Sequence, residues 1–213
     1  MRKLISVLFI ALGFIAGGAR ASTTAPVAGT DYKVLGTPVM VGAAVPGKIE
    51  VTEFFWYGCP HCNEFEPFLE GWIKKQNPDV VFRRVPVAFT DQFVPHQKLY
   101  HALEEMGLAE QMTSKIFNEI HVKKDYLLTP QAQADFLAKN GVDRQKFLAA
   151  YNSFSADAQV KRDDKEIADA KIDGVPTLLV AGKYETGPGL TNSLAGTLQV
   201  LDFLVSQVRA KKL

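Results

Sequence analysis

Cys59 and Cys62 are the only cysteines in this 213-residue chain, and they stand two residues apart as Cys59-Pro60-His61-Cys62. At that spacing two thiols can close a small disulfide ring and open it again. The loop is too short to restrict the unfolded chain much, so a purely stabilising bridge is a poor explanation. The attacking form of cysteine is the thiolate. Pro60 suits the first position of a helix, where its missing N–H costs nothing, and that places Cys59 at the helix N-terminal edge. Unpaired N–H groups and the macrodipole favour an anion there. The dipole contributes at most about 2 kcal/mol, which lowers a thiol pKa by no more than about 1.5. A strongly acidic Cys59 therefore needs hydrogen bonds as well, and the N–H groups of His61 and Cys62 and the His61 ring lie within reach. A stabilised thiolate stabilises the reduced protein and makes its disulfide the stronger oxidant. Pro60 and His61 between the cysteines thus point toward disulfide donation.

Two other readings of the pair stay open: a structural disulfide, and half of a metal site. A four-ligand zinc site needs two more ligands from His61, His96, His101 or His121, and none has a familiar spacing from the cysteines. No metal or other cofactor is therefore expected beyond the Cys59–Cys62 disulfide itself. Glu53 lies in an otherwise apolar run six residues before Cys59. Surface exposure is the plain alternative, but its neighbours argue for burial, and a buried carboxylate has a raised pKa and can carry protons to or from Cys62. Glu66, one helical turn after Cys62, is the second candidate for proton handling, against a solvated helix face. Val175-Pro176 precedes a predicted strand, where proline is unusual. A trans loop proline is the ordinary case. A cis proline facing the cysteines would leave Val175 backbone groups to pair with an extended peptide. Phe54, Phe55, Trp56 and Tyr57 read mainly as core, with some able to line an apolar groove.

The elements that must position these residues follow from patterning. Ile49–Tyr57 is a strand rich in branched and aromatic residues. From Pro60 to about Gln76, Phe65, Phe68, Leu69, Trp72 and Ile73 recur at helical spacing, with Pro67 predicting a kink. Asn77-Pro78-Asp79 stops that helix, and Val80–Val85 is a second central strand, which makes a right-handed parallel unit. A strand, a C-x-x-C and a helix in this order read as a thioredoxin-like redox site. Tyr32–Leu35 and Pro38–Val41 are candidate edge strands, joined onward by a turn-rich link, Gly42–Gly47. Helical patterns then cover His96–Met106, Leu108–Ile120, Gln131–Lys139 (capped by Thr129), Arg144–Tyr151 (capped by Asp143) and a last one from a Ser155 cap to about Ala170. Thr177–Ala181 and Tyr184–Thr186 form a hairpin. Leu190, Leu194, Leu198, Leu201, Leu204 and Val208 mark an amphipathic C-terminal helix. The fold class is therefore α/β, a sheet domain carrying a thioredoxin-like redox site with a helical module inserted into it. The expected division is 22–90 and 171–213 for the thioredoxin domain, with 91–170 inserted.

The first 21 residues carry a basic start (Arg2, Lys3), an apolar run from Leu4 to Ala16 and the small-x-small site Ala19-Arg20-Ala21. The run is short for a membrane span, so a cleaved secretory signal is expected, with an uncleaved anchor as the alternative. Cleavage after Ala21 leaves Ser22–Leu213, opening with a flexible leader to Gly29, with 21 basic against 23 acidic side chains. That balance offers no footprint for nucleic acid or an anionic membrane. A chain of this size can bury its own core without disulfide staples, so exported thiols at this spacing are chemical tools.

Taken together, Glu53-Phe54-Phe55 before Cys59-Pro60-His61-Cys62, Phe65-Glu66, the helical insertion, Gly174-Val175-Pro176-Thr177 and Gly182-Lys183-Tyr184 resemble the DsbA family of periplasmic thiol–disulfide oxidoreductases. The resemblance covers essentially the whole mature chain. It implies a thioredoxin fold with an inserted all-helical domain, Cys59 as attacking thiolate, Cys62 as resolving thiol, Pro176 as a cis proline, and Glu53 and Glu66 as proton-handling acids. It also implies disulfide donation to reduced, unfolded secreted proteins and reoxidation by the quinone-linked membrane protein DsbB, with the protein working as a monomer in the periplasm. Arg83-Arg84 near the end of the second strand and Gly58 just before Cys59 depart from the best-known members, the first bearing on the charge environment of the buried acid and the second on the groove beside the active site. A periplasmic reductase or isomerase, a Cu(I) carrier using both thiolates, and a peptide-binding chaperone remain the other function classes.

Overall fold

A five-stranded sheet of order β1-β5-β4-β2-β3 carries the chemistry in this computed structural model, which describes residues 25–39 and 46–213. Its strands are β1 Lys33–Val34, β2 Ile49–Phe55, β3 Val80–Pro86, β4 Thr177–Val180 and β5 Tyr184–Thr186. The apolar run 49–55 forms the middle of the sheet, pairing parallel with β3 and antiparallel with β4. A strand covered on both faces reads as a near-continuous hydrophobic run, which is what this segment is. Val51, with Phe65, Leu69 and Trp72 of α1 (Pro60–Ile73) and Val200, Leu201 and Leu204 of α8 (Leu194–Arg209), packs one face. Phe54 on the opposite face meets Val85, Leu179 and Ile172.

Between β3 and β4 the chain is helical: a 3-10 turn at Asp91–Phe93, then α2 Val94–Glu105, α3 Ala109–His121, α4 Pro130–Lys139, α5 Arg144–Tyr151 and α6 Phe154–Ala170. Its apolar interior runs into the site, because Phe55, Tyr57, Cys59 and Cys62 belong to the same buried cluster as Leu99, Ile116, Phe117 and Phe147. No helix among the described residues is long and apolar enough to cross a membrane. The expected signal segment 1–21 lies outside the described residues.

Several boundaries differ from the pattern reading, each for a local reason. β2 stops at Phe55 rather than Tyr57, because the Trp56 carbonyl turns to accept the Cys59 N–H at 2.9 Å. Helix α1 ends at Ile73 rather than about Gln76, and Pro67 lies within it, with Phe65, Leu69 and Trp72 buried on both sides of the proline. The expected leader is already ordered at Val27, whose N–H donates to Asp31 Oδ2 at 2.7 Å. Pro38 and Val39 are not in a strand, although the Val39 N–H reaches the Gly182 carbonyl at 2.8 Å; residues 40–45 lie outside the described set. Leu190 belongs to a separate turn, α7 Pro188–Thr191, since Asn192 at φ 51° ends it and Ser193 caps α8.

The cap of α6 is Ser153, whose Oγ accepts the Ala156 N–H at 3.0 Å, and not Ser155, which falls inside the first turn. Replacing Ser153 by alanine is expected to cost about 1 kcal/mol in urea unfolding. Ser155→Ala should stay within about 0.5 kcal/mol, as exposed substitutions do.

Candidate active site

The turn after β2 delivers Cys59 to the N-cap of α1, with φ −80° and ψ 120°, and Pro60 opens the helix. Both cysteines are free thiols, Cys59 7% exposed and Cys62 fully buried. One helical turn thus holds a sulfur at the surface and a second sulfur beneath it. A hydrogen bond from the Cys62 thiol, together with the backbone N–H groups of Cys62 and His61, outweighs burial and pulls the Cys59 pKa down to about 6. Burial pushes Cys62 well above the ordinary thiol range, and the neighbouring Cys59 and Glu53 charges add to this. At neutral pH, an acid one unit below ambient is about 90% ionised, against a few per cent for an ordinary thiol. The two thiols are therefore unlike: the Cys59 sulfur ionises readily and the Cys62 sulfur keeps its proton.

The His61 ring is largely exposed and lies 3.4 Å from Glu64 Oε2, so its part in holding Cys59 comes mainly through its backbone N–H. The Cys59 thiol donates to the Val175 carbonyl at 3.4 Å, and the Val175–Pro176 bond is cis. Beside them lies a groove of about 410 Å³ lined by His61, Val175, Pro176, Thr177, Pro188 and Leu190. Gly187 is needed in its wall, because a Cβ there would stand 2.8 Å from the Pro176 carbonyl oxygen.

Behind Cys62, sheet register sets Arg84 of β3 directly opposite Glu53 of β2. Arg84 Nε donates to Glu53 Oε2 at 2.8 Å and Nη2 donates to Glu66 Oε2 at 2.7 Å, all three side chains being buried. Glu66 Oε1 is buried without a partner. Burial raises the pKa of both acids despite Arg84, that of Glu66 to about 7. One guanidinium faces two carboxylates, so a single proton on the pair makes the buried triad neutral. The preceding Arg83 points to the other face and pairs with Glu50 and Glu166.

Among the described residues, no group of three or more His, Cys, Asp or Glu side chains is placed to hold a metal ion. The sequence pointed to other uses for four residues of the site: Arg84 proves to be the shared counter-ion, and His96, His121 and Trp56 lie around the turn before Cys59 with Thr113, which no motif marked. An arginine inside an apolar strand was the available signal for Arg84. The histidines gave none, since they come from helices 40 and more residues away.

A profile of the DSBA-like thioredoxin domain matches residues 50–199 of the chain. The thiol:disulfide interchange protein DsbA of Burkholderia cepacia is 58% identical over 213 residues, covering 100% of both chains. The chain belongs to the DsbA family. Its fold is the family's thioredoxin fold with a helical insertion, and it is a thiol–disulfide oxidoreductase. The DsbA of Pseudomonas aeruginosa is 40% identical over 210 residues, 99% of this chain and 98% of its own. The crystal structure of Pseudomonas aeruginosa DsbA superposes with a TM-score of 0.82 at 40% identity, over 88% of this chain and 96% of that one. The oxidoreductase DsbA from Xylella fastidiosa gives a TM-score of 0.80 at 32% identity, over 88% of this chain and all of that one.

Proposed function

We propose that this DsbA-family protein is an oxidase that passes its Cys59–Cys62 disulfide to newly exported proteins. The observation that carries this reading is the inequality of the two thiols: Cys59 is held as a thiolate near pKa 6, while Cys62 is buried with its proton. A substrate thiolate attacks the Cys59 sulfur of the disulfide, the S–S bond breaks, and Cys62 leaves with the electron pair. Glu53, whose pKa burial raises, supplies the proton that Cys62 takes up, with Glu66 sharing the charge through Arg84. A second substrate thiolate then attacks the substrate sulfur of the mixed disulfide. That step forms the substrate disulfide and expels Cys59 as its stable thiolate. The substrate loses two electrons and the protein gains them.

The extended substrate lies in the groove beside Pro176 and pairs with Val175 backbone groups. The reduced protein returns to its disulfide through a quinone-linked, DsbB-like membrane partner. In this reading residues 1–21 are a cleaved signal. The mature monomer works in the periplasm, with a thioredoxin domain (22–90 and 171–213) and a helical domain (91–170). Mixing the oxidised mature protein with a reduced, unfolded multi-thiol protein tests the oxidase step. The expected result is one substrate disulfide per protein disulfide consumed within minutes at pH 7, and no transfer beyond the buffer rate would refute it.

A further inference from the structure

Three residues join β2 to Cys59, and the helical insertion grips two of them. The Trp56 indole N–H donates to Nδ1 of His96 at 2.9 Å, and Nε2 of the same ring lies 2.8 Å from the Tyr126 carbonyl. Indole is a donor only, so Nδ1 must accept and Nε2 must carry the proton that goes to Tyr126. Both ring nitrogens are used, and the ring is neutral. From the end of α3, His121 Nε2 donates to the Tyr57 carbonyl at 2.8 Å, while the Tyr57 hydroxyl meets Thr113 Oγ1 at 3.3 Å. The Trp56 ring also packs against Phe93, with centroids 4.1 Å apart. It covers Gly58 so closely that a Cβ there would lie 2.3 Å from it. The Trp56 carbonyl in turn holds the Cys59 N–H.

We infer that His96 and His121 are positioning residues for the Cys59 thiolate. From the helical insertion they clamp the Trp56–Gly58 linker, so that the Cys59 sulfur faces the first N–H groups of α1. In the oxidised protein the disulfide ring itself ties Cys59 to Cys62. The reduced protein has no such bond, and the place of the sulfur depends on the direction in which the linker enters the helix. The clamp therefore stabilises the reduced form more than the oxidised one, which makes the disulfide a stronger oxidant. A histidine that only supported packing would stabilise both forms alike and leave the potential unchanged. The inference rests on Cys59 being the exchanging thiolate.

The test equilibrates the mature protein with glutathione buffers as wild type, His96→Phe, His121→Phe and the two glutamine variants. A glutamine amide can still accept from an indole N–H and donate to a carbonyl. In each phenylalanine variant the equilibrium constant for disulfide donation should fall three- to tenfold; tenfold is about 30 mV for a two-electron couple. The thiolate absorbance should rise at higher pH, and glutamine should recover at least half of the logarithmic change. Trp56→Phe, which removes the indole donor together with the outer ring over Gly58, should shift the equilibrium the same way. An unchanged constant in the folded variants, or no recovery by glutamine, overturns the clamp. Should a phenylalanine variant fail to fold, an unchanged constant in Trp56→Phe overturns the His96 arm by itself. A wild-type protein with an ordinary Cys59 thiol and a thioredoxin-like potential would instead sink the oxidase reading, and the clamp with it.

Discussion

Cys62→Ser yields a protein that captures disulfide-bonded substrates and does not release them. Cys59 keeps its N-cap position and the N–H groups of residues 61 and 62, so its thiolate still attacks a substrate disulfide. The mixed disulfide then lacks the buried thiol that would resolve it. Incubated with a denatured, disulfide-bonded protein, the variant should run as a reducible adduct on a non-reducing gel. Its turnover as an oxidase should fall by at least about 10³-fold, the scale on which loss of one member of a nucleophilic set acts. Cys59→Ser should form no adduct, because the remaining Cys62 is fully buried and its pKa is high. Adducts through Cys62 would reverse the roles given to the two sulfurs.

The second large effect lies behind the cysteines. Arg84→Met keeps much of the side-chain volume and strips the cation that bridges Glu53 and Glu66. Breaking a buried pair by removing one partner typically costs about 3–5 kcal/mol, and here two carboxylates lose it at once. The cost should depend on pH, and its sign follows from linkage. Glu66 titrates near 4.5 unfolded and about 7 folded, so the native state holds more protons between those values. Stability therefore falls as pH rises through that window, opposite to an ordinary salt-bridged carboxylate. Without Arg84 both acids are harder still to ionise, and the fall becomes steeper and reaches higher pH. Urea unfolding should show a larger deficit for Arg84→Met at pH 8 than at pH 5. A pH-independent deficit would mean that packing around Phe55 and Phe82, over which the guanidinium lies, was the real loss.

What could be read in advance divides along a physical line. Local signals were legible: Cys59 to Cys62 at two-residue spacing, Pro60 opening a helix, Thr129 and Asp143 as caps, and apolar periodicity in α1. Glu53 was placed in the core because its neighbours along one strand are apolar. Its partner could not be placed so, because the pairing of Glu53 with Arg84 is a matter of sheet register between two strands. The histidine bonds to Trp56 and Tyr57 are longer-range still, spanning 40 and 64 positions. Near misses were competitions between adjacent residues of the same type. Ser153 outcompeted Ser155 because Asn152 already ends α5, leaving the next hydroxyl in place to cap α6. Similarly, the Leu190 periodicity continued into α8 on paper, while Asn192 in a left-handed conformation broke the chain there.

In the proposed oxidase the environment of Cys59 makes the reduced protein the favoured partner in thiol–disulfide exchange. Equilibrating the mature protein with glutathione buffers at pH 7 measures that preference directly. The expected result is a reduction potential well above that of thioredoxin, which lies at about −270 mV. A value near thioredoxin's would contradict it, and would make the protein a reductase in which the Cys59 thiolate gains nothing from its helix.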